Sequence, residues 1–292
     1  MKSTIMIIAD REGQRQVAME RGMGLAARLG CQVVVAGFVY ENLEGQGVTG
    51  KTRQDQVRKK LLARRRSEIK SLVRRFKPEG IKVTDCVVWE KNVRYWVVEQ
   101  CRRDHYALVI KTGHRSETFM YSSTDWQLLR ECPAPVMIVA EKKWRKANPI
   151  VAAVDLGSKS RIKHKLNQMV INTAKQYADV MGCELYVLYA IHISPLLTEL
   201  DLVDEYSHAK KIKEELQGRL ERLSIAHDIP LKNFRLKRGP VDKVITSECS
   251  RLKAQLVVMG TAGRKGVRAK LIGNTAEQVL TRLRTDVLAL KP

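Results

Sequence analysis

The sequence lacks several features that would place it in a specialised class of protein. Its six cysteines include no C-x-x-C pair, which favours reduced thiols over a disulfide framework or a zinc site. Its apolar runs, such as residues 33–39, fall far short of the roughly 20 residues of a membrane span. The apolar run at 4–9 is too short for a secretory signal. We therefore expect a cytoplasmic globular protein with no membrane partner.

Acidic residues are scarce relative to basic ones. The chain has 53 Lys and Arg against 31 Asp and Glu, a formal net charge of +22. Such an excess suggests nucleic acid, an anionic membrane or phosphorylated ligands as partners. The 44% of apolar residues are too many for a disordered chain, and 292 residues is about twice the length of a usual single domain. We therefore predict two separate hydrophobic cores.

The two halves of the sequence resemble each other. Four landmarks recur in the same order: an apolar run ending in Asp, a Gly-Cys pair, a second Cys ahead of an apolar run, and a closing apolar run. They stand at 4–10 and 149–155, at 30–31 and 182–183, at 101–110 and 249–258, and at 132–139 and 284–290. The repeat predicts two domains, residues 1–146 and 147–292, separated near the lysine-rich stretch 141–148.

Within each half, apolar runs alternate with segments of helical period, as in βαβ units that build a parallel sheet. In the first half we predict a long helix near 53–76 and strands at about 4–9, 32–40, 82–89, 106–111 and 135–140. In the second half we predict strands at about 150–155, 183–191, 232–238, 255–260 and 286–290, and helices at about 163–181, 201–227, 240–252 and 274–284. The predicted fold is α/β: two tandem Rossmann-like domains, each a five-stranded parallel sheet with helices on both faces. Ligands of such sheets bind at the carboxyl ends of the strands, near a topological switch point.

One loop after a predicted strand is a candidate phosphate site. Residues 260–273 read G-x2-G-x9-G, and Asn274, Thr275 and a helical pattern follow. Glycines let backbone amides approach a phosphate, and a helix N-terminus presents unpaired N–H groups to an anion. Four cations between the glycines could screen a triphosphate: Arg264, Lys265, Arg268 and Lys270. Taken alone, the same residues also fit an ordinary strand-to-helix connection with solvated charges.

This loop resembles the nucleotide signature of the universal stress protein family, G-x2-G-x9-G-[Ser/Thr], in which an Asp at the end of the first strand lies beside the adenine. Asp155 matches that Asp, while Asn274 replaces the hydroxyl residue and could still donate a hydrogen bond to phosphate. The resemblance implies that the second domain binds ATP or a related nucleotide, with or without Mg²⁺. The implied nucleotide-binding residues are Asp155, Ala190, Met259, Gly260, Gly263, Arg264, Gly273, Asn274 and Thr275.

The first half departs from this signature. Asp10 is retained, but Lys111, His114 and Thr124 stand near the positions of the three glycines. Because these bulkier residues occupy the approach to the phosphates, we predict a degenerate nucleotide loop and no equivalent ATP site in the first domain. The segment 123–136 is similar to the tandem-domain subgroup of the family.

Motifs of conventional catalysis are missing. The sequence has no G-x-S-x-G elbow and no H-E-x-x-H helix, and no residue offers an evident general base for ATP hydrolysis. Cys101 and His105 are close in sequence, but a surface pair between a helix and a strand explains them better than catalysis does. We therefore predict a binding protein rather than an enzyme.

The excess of positive charge is concentrated in one segment. Residues 51–77 hold twelve basic and two acidic residues on a predicted helix whose apolar stripe faces the sheet. Such a helix can bind nucleic acid nonspecifically through phosphates. No recognition fold or aromatic stacking pattern accompanies the helix in the sequence, so a solvated basic surface is the favoured interpretation.

Two candidate functions follow from these features of the sequence. The first is a cytoplasmic stress-response protein that binds ATP in its second domain and acts by signalling. The second is a nucleic-acid-associated factor that uses the basic helix and has a vestigial nucleotide site. The family resemblance also implies tolerance of DNA-damaging agents, effects on adhesion or motility, and edge-to-edge pairing of the two halves as a pseudo-dimer, with a homodimer of chains left open.

Overall fold

The protein forms two compact units, Met1–Glu141 and Lys142–Pro292, here called the N-terminal and C-terminal units. The computed structural model describes residues 3–113, 123–141, 143–145, 147–192, 204–261 and 274–292. The predicted boundary at 146/147 lies a few residues after the point at which these units divide.

The N-terminal unit is a parallel sheet with strand order β3-β2-β1-β4-β5. Its elements are β1 (Thr4–Ile8), α1 (Val17–Leu29), β2 (Gln32–Val39), α2 (Lys51–Phe76), β3 (Val83–Trp89), α3 (Val93–Arg103), β4 (Tyr106–Thr112), α4 (Ser123–Glu131) and β5 (Val136–Val139).

The C-terminal unit repeats this arrangement with strand order β10-β9-β6-β7-β8, again parallel throughout. Its elements are β6 (Ile150–Ala153), α5 (Arg161–Met181), β7 (Leu185–Ile191), α6 (Glu205–His227), a 3-10 turn (Leu231–Asn233), β8 (Phe234–Arg238), α7 (Val241–Arg251), β9 (Leu256–Gly260), α8 (Asn274–Arg282) and β10 (Asp286–Leu290).

The predicted fold class is confirmed, and every predicted strand is found with its ends within two residues of the prediction. The agreement is close because the central strands are buried on both faces and therefore appear in the sequence as continuous apolar runs. Residues 5–8 of β1 and 256–259 of β9, for example, are all buried. The 3-10 turn before β8 was not predicted, since three residues carry no periodic signal.

The thiols behave as small core groups. Cys31, Cys101, Cys132 and Cys249 are buried, whereas Cys86 and Cys183 are half-buried. Burial, followed by the nearby charge of Glu248, raises the pKa of Cys249 to about 12. Such a thiol is protonated at neutral pH and is a poor nucleophile. Of the residues that the structure describes, none lies in a helix long and apolar enough to cross a bilayer.

The first helix of each unit ends in the same way but begins differently. α1 and α5 both end at a glycine in the left-handed conformation that is followed by a cysteine, at 30–31 and 182–183. α1 has 13 residues, whereas α5 has 21. The extra length is at the N-terminus of α5, so two additional helical turns lie next to the loop that follows β6. This difference positions the candidate site described below.

Close packing between α1 and the sheet requires a glycine at position 22. A Cβ atom placed on Gly22 would lie 2.6 Å from Cγ1 of Ile7 in β1 and 3.2 Å from Cδ1 of Ile110 in β4. Two residues further along α1, a Cβ atom on Gly24 would meet nothing within 4 Å. The two glycines therefore offer a matched pair on one helix.

We expect Gly22→Ala to destabilise the N-terminal unit by about 1–3 kcal/mol, because the added methyl overpacks the interface with β1 and β4. We expect Gly24→Ala to stabilise it by about 0.5–1 kcal/mol, because alanine has the higher helix propensity and the site has room. Urea unfolding of both variants measures the difference. Equal stabilisation by the two substitutions would contradict the close approach at Gly22.

Candidate functional site

The candidate site lies where the strand order of the C-terminal unit reverses. The chain runs from β6 outward through β7 to β8 and then returns to place β9 on the other side of β6. Asp155 follows β6 by two residues, and Gly260 is the last residue of β9. Both therefore lie at the carboxyl edge of the sheet beside the switch point, where α/β sheets bind ligands.

Two more predicted residues lie on strands that adjoin Asp155. Ala153 of β6 pairs with Leu188 of β7 on one side and with Met259 of β9 on the other. Ala190 belongs to β7, two residues beyond Leu188. Ala190 and Met259 are 8% and 5% exposed, so their side chains pack within the unit. A ligand at this edge would meet mainly their backbone.

The backbone of Asp155 is held on both sides by one buried side chain. Asn167 of α5, 6% exposed, accepts a hydrogen bond from the Asp155 N–H at 3.0 Å through Oδ1. Its Nδ2 donates to the Asp155 carbonyl at 2.7 Å. Because an amide side chain has both a donor and an acceptor, it satisfies both backbone groups at once. This clamp fixes the direction in which the Asp155 carboxylate leaves the sheet.

The carboxylate itself is open to solvent. Oδ2 of Asp155 lies 2.7 Å from Nζ of Lys163 on α5, and the two side chains are 46% and 49% exposed. An ion pair this exposed is worth at most about 1 kcal/mol, because water screens the charges and both side chains lose entropy. A ligand that offers hydrogen-bond donors to the carboxylate could therefore displace Lys163 at low cost.

Side chains of α6 and β7 support the loop after Asp155. Nη1 of Arg219 donates to the Leu156 carbonyl at 2.7 Å. The Tyr189 hydroxyl accepts a backbone hydrogen bond from Gly157, while burial, and then the negative charge of Asp155, raise the pKa of Tyr189. Tyr189 is therefore neutral at physiological pH and adds no second negative charge beside Asp155.

Gly260 has a packing role that is independent of any phosphate. A Cβ atom at this position would lie 2.7 Å from Cγ of Leu166 on α5. The first glycine of the signature thus lets α5 approach the end of β9. Gly263, Arg264 and Gly273 lie outside the described residues, as do the remaining loop cations. Beyond them, α8 begins at Asn274 and includes Thr275, so its N-terminus falls where the sequence predicted a helix start.

In the N-terminal unit the corresponding edge is closed by the protein's own side chains. Asp10, the counterpart of Asp155, is only 4% exposed. The hydroxyl of Thr112 donates to Oδ2 of Asp10 at 2.8 Å and accepts from the N–H of Ala18 at 2.9 Å. Ile7 of β1 pairs with Ile110 of β4, which places Thr112 at the position that Gly260 holds in the other unit.

Two buried cations complete this closure. Nζ of Lys111 lies 2.7 Å from Oδ1 of Asp125, with side-chain exposures of 9% and 0%, and donates to the Thr112 carbonyl at 2.8 Å. Nη2 of Arg65, which comes from α2, donates to the Asp10 carbonyl at 2.6 Å. Of the other predicted obstructions, Thr124 belongs to α4 and His114 lies outside the described residues.

The sequence did not reveal the residues that organise the two edges. Asn167, Lys163 and Leu166 lie in the two extra turns of α5, and a longer helical pattern before 182–183 than before 30–31 was the available signal. Arg65 is one of twelve cations in its segment, so nothing in the sequence distinguished it as a buried residue. In the described part of the chain, no group of three or more His, Cys, Asp or Glu side chains could hold a metal ion.

Comparison with known proteins agrees with this architecture. The model of the universal stress protein family matches residues 1–140 and again 147–291. Universal stress protein E of Salmonella typhi is 26% identical over 299 aligned residues, which cover 100% of this chain and 95% of that protein. A solved structure of a Pseudomonas aeruginosa PAO1 protein of unknown function has a TM-score of 0.76 at 21% identity, covering 100% of this chain and 93% of the other.

A second solved structure, a universal stress protein of Archaeoglobus fulgidus, has a TM-score of 0.63 at 15% identity. The match covers 99% of this chain and 96% of the Archaeoglobus fulgidus chain. At these identities the two structures bear on the fold alone. The predicted relationship to the tandem-domain subgroup, universal stress protein E, is confirmed by the full-length match. The chain belongs to the universal stress protein family, with one family domain in each unit.

Proposed function

We propose that this stress-response protein binds ATP at the carboxyl edge of its C-terminal unit and acts in the cytoplasm through binding rather than turnover. One observation carries the proposal: the clamp from Asn167 holds a half-exposed Asp155 carboxylate at the switch point between β6 and β9. A carboxylate at that position can accept hydrogen bonds from the exocyclic amino group of adenine, and such charge-assisted bonds are strong.

The neighbouring loop supplies the groups that a triphosphate needs. Gly263 and Gly273 would let backbone amides approach the phosphates, and the N-terminus of α8 at Asn274 and Thr275 would present further N–H groups. Arg264 would pair with a phosphate oxygen. Mg²⁺, if bound, would come with the nucleotide, because Mg²⁺ in nucleotide sites is held largely by phosphate oxygens and water.

The proposal assigns one ATP to each chain. In the N-terminal unit, Asp10 is already bonded to Thr112, and the Lys111–Asp125 ion pair fills the same edge. A nucleotide there would have to break a buried ion pair, and leaving one buried charge uncompensated costs about 3–5 kcal/mol.

We expect calorimetric titration of the full chain to give one ATP site, and Asp155→Asn to weaken ATP binding by at least about tenfold, because hydrogen bonds to a charged group are worth about 1.5–3 kcal/mol. Asp179→Asn is the matched control: this exposed aspartate also pairs with a lysine of α5, but at the far end of the helix. Asp10→Asn tests the assignment to one unit and should leave the affinity for ATP unchanged. A larger loss with Asp10→Asn than with Asp155→Asn would contradict it.

A second substitution tests the loop directly. Gly263→Arg should abolish ATP binding, because a bulky side chain would occupy the approach to the phosphates. Gly218→Arg, the same change at an exposed position of α6, should leave binding intact. No ADP should form from ATP in the same samples during the titration, because the proposed function is binding without turnover. Equal binding by the two variants, or no binding by the wild-type chain, would refute the ATP proposal.

A second candidate function is nonspecific nucleic-acid binding by α2 and the residue after it. Of the twelve basic residues in 51–77, only Arg65 is buried, and the other eleven are exposed. Among these eleven, Arg64 alone forms an ion pair within the described chain, with Glu12. The other ten, nine on α2 and Lys77 directly after it, form a surface that phosphates could neutralise, with release of counterions.

We expect the affinity for a 20-base-pair duplex to fall steeply between 50 and 200 mM salt, with a log–log slope of about −0.9 for each phosphate contact. Replacing Lys59, Lys60 and Arg66 together by Gln should lower the magnitude of that slope, whereas replacing Lys210, Lys211 and Lys213 of α6 by Gln should not. Fluorescence anisotropy measures both. Absence of binding by the wild-type chain to duplex and to single strands alike, even at 20 mM salt, would exclude this candidate function.

A further inference from the structure

An aromatic pair with one exposed member lies at the carboxyl edge of the N-terminal unit, beside the basic helix. Tyr40 follows the last residue of β2, and Trp89 is the last residue of β3. Their ring centroids are 5.7 Å apart, with the ring planes at 53°. Tyr40 is 40% exposed, and Trp89 is half-buried. The two residues are 49 positions apart in sequence, and the pairing of Val39 with Trp89 brings them together.

Cations from two different elements lie against this pair. The guanidinium carbon of Arg58, on α2, lies 5.5 Å from the centroid of the Trp89 ring. Nζ of Lys91, in the turn before α3, lies 5.9 Å from the centroid of the Tyr40 ring. Both side chains are exposed, and neither forms an ion pair with a described residue. Both cations can therefore form ion pairs with phosphate although they lie over aromatic rings.

The surrounding charge favours an anionic partner. Because α2 follows β2 and returns antiparallel to the strands, its first turns lie at the same edge as Tyr40. Lys51, Arg53, Lys59 and Lys60 are exposed in those turns. Four carboxylates lie in the same stretches of chain, namely Glu41, Glu44, Asp55 and Glu90, and Glu90 accepts a hydrogen bond from the backbone N–H of Asn92. Together with Arg58 and Lys91, the cations number six and outnumber these four acids.

Aromatic rings next to a cationic helix distinguish single strands from duplexes. An unpaired base offers a π-face that can stack on a tyrosine, whereas the bases of a duplex are already stacked on one another. A merely solvated basic helix would bind both forms through phosphates, and more tightly where the charge density is higher.

We infer that Tyr40, packed against Trp89, forms a stacking platform for an unpaired base of single-stranded nucleic acid. The base takes the place of Lys91 over the Tyr40 ring, and the flanking phosphates contact Lys91 and the cations of α2, including Arg58. This inference rests on the second candidate function and narrows its substrate class. It is independent of ATP binding in the C-terminal unit. Because the contact is to a base and not to a sugar, it applies equally to RNA and to single-stranded DNA.

The test compares 20-nucleotide single strands of RNA and of DNA with a duplex of the same sequence, by fluorescence anisotropy on the full chain at low salt. Tyr40→Ala should weaken binding of both single strands by about tenfold, because a stacked base loses its platform, and should change duplex affinity less than twofold. Tyr40→Phe keeps the ring and should bind single strands like the wild type. Tyr206→Ala removes a tyrosine that is 73% exposed on α6 and should have no effect.

The outcomes separate this inference from the function it rests on. Single strands and duplex bound equally, with no effect of Tyr40→Ala, would overturn the platform and leave phosphate binding by α2 intact. Absence of binding to every nucleic acid would overturn both. An equal loss with Tyr40→Phe and Tyr40→Ala would show that the hydroxyl acts instead of the ring face. Tyr40-dependent capture of a proline-rich peptide without single-strand binding would assign the aromatic pair to a different partner and overturn the inference.

Discussion

The rest of the structure depends on one constraint. In each unit the first strand pairs in parallel with the second strand on one side and with the fourth strand on the other. This pairing creates the switch point at the carboxyl edge, between β1 and β4 in one unit and between β6 and β9 in the other. It also directs both Asp10 and Asp155 to that edge. The two edges then differ chemically through the side chains that the neighbouring strands and helices bring to the same place.

The two edges differ both in the helix that follows the first strand and in the last residues of the fourth strand. In the C-terminal unit, two extra turns of α5 bring Asn167 to the backbone of Asp155 and leave its carboxylate half exposed. In the N-terminal unit, Thr112 and Ala18 enclose Asp10, and Lys111 with Asp125 buries an ion pair beside it. The described residues therefore include one switch-point Asp whose carboxylate is half exposed and one whose carboxylate is satisfied by the protein's own polar groups. A buried polar group needs a hydrogen-bond partner, and in the N-terminal unit the protein itself supplies the partner of Asp10.

The structure shows what lies next to the densest part of the +22 net charge. Eleven exposed cations lie in residues 51–77, and their helix begins at the edge where Tyr40 and Trp89 meet. In sequence no aromatic stacking pattern accompanies this segment, which is why a solvated basic surface is the favoured interpretation at that level. Strand pairing between β2 and β3 brings Tyr40 and Trp89, 49 residues apart in the chain, together beside the helix. The basic surface of α2 therefore has an aromatic pair next to the end at which the helix begins.

The sequence by itself determined the fold class, the duplication, all ten strands and the Asp at each switch point, because strands buried on both faces and repeated landmarks leave strong local patterns. It could not show that Gly260 is needed for the approach of Leu166, that Arg65 is buried, or that Tyr40 meets Trp89. These are contacts between elements far apart in the chain, and their geometry depends on helix length and strand register. The sequence predicted that the first domain lacks the site of the second, but only the tertiary structure showed that Thr112 and the Lys111–Asp125 ion pair fill its edge, because burial and hydrogen bonding are properties of packed neighbours.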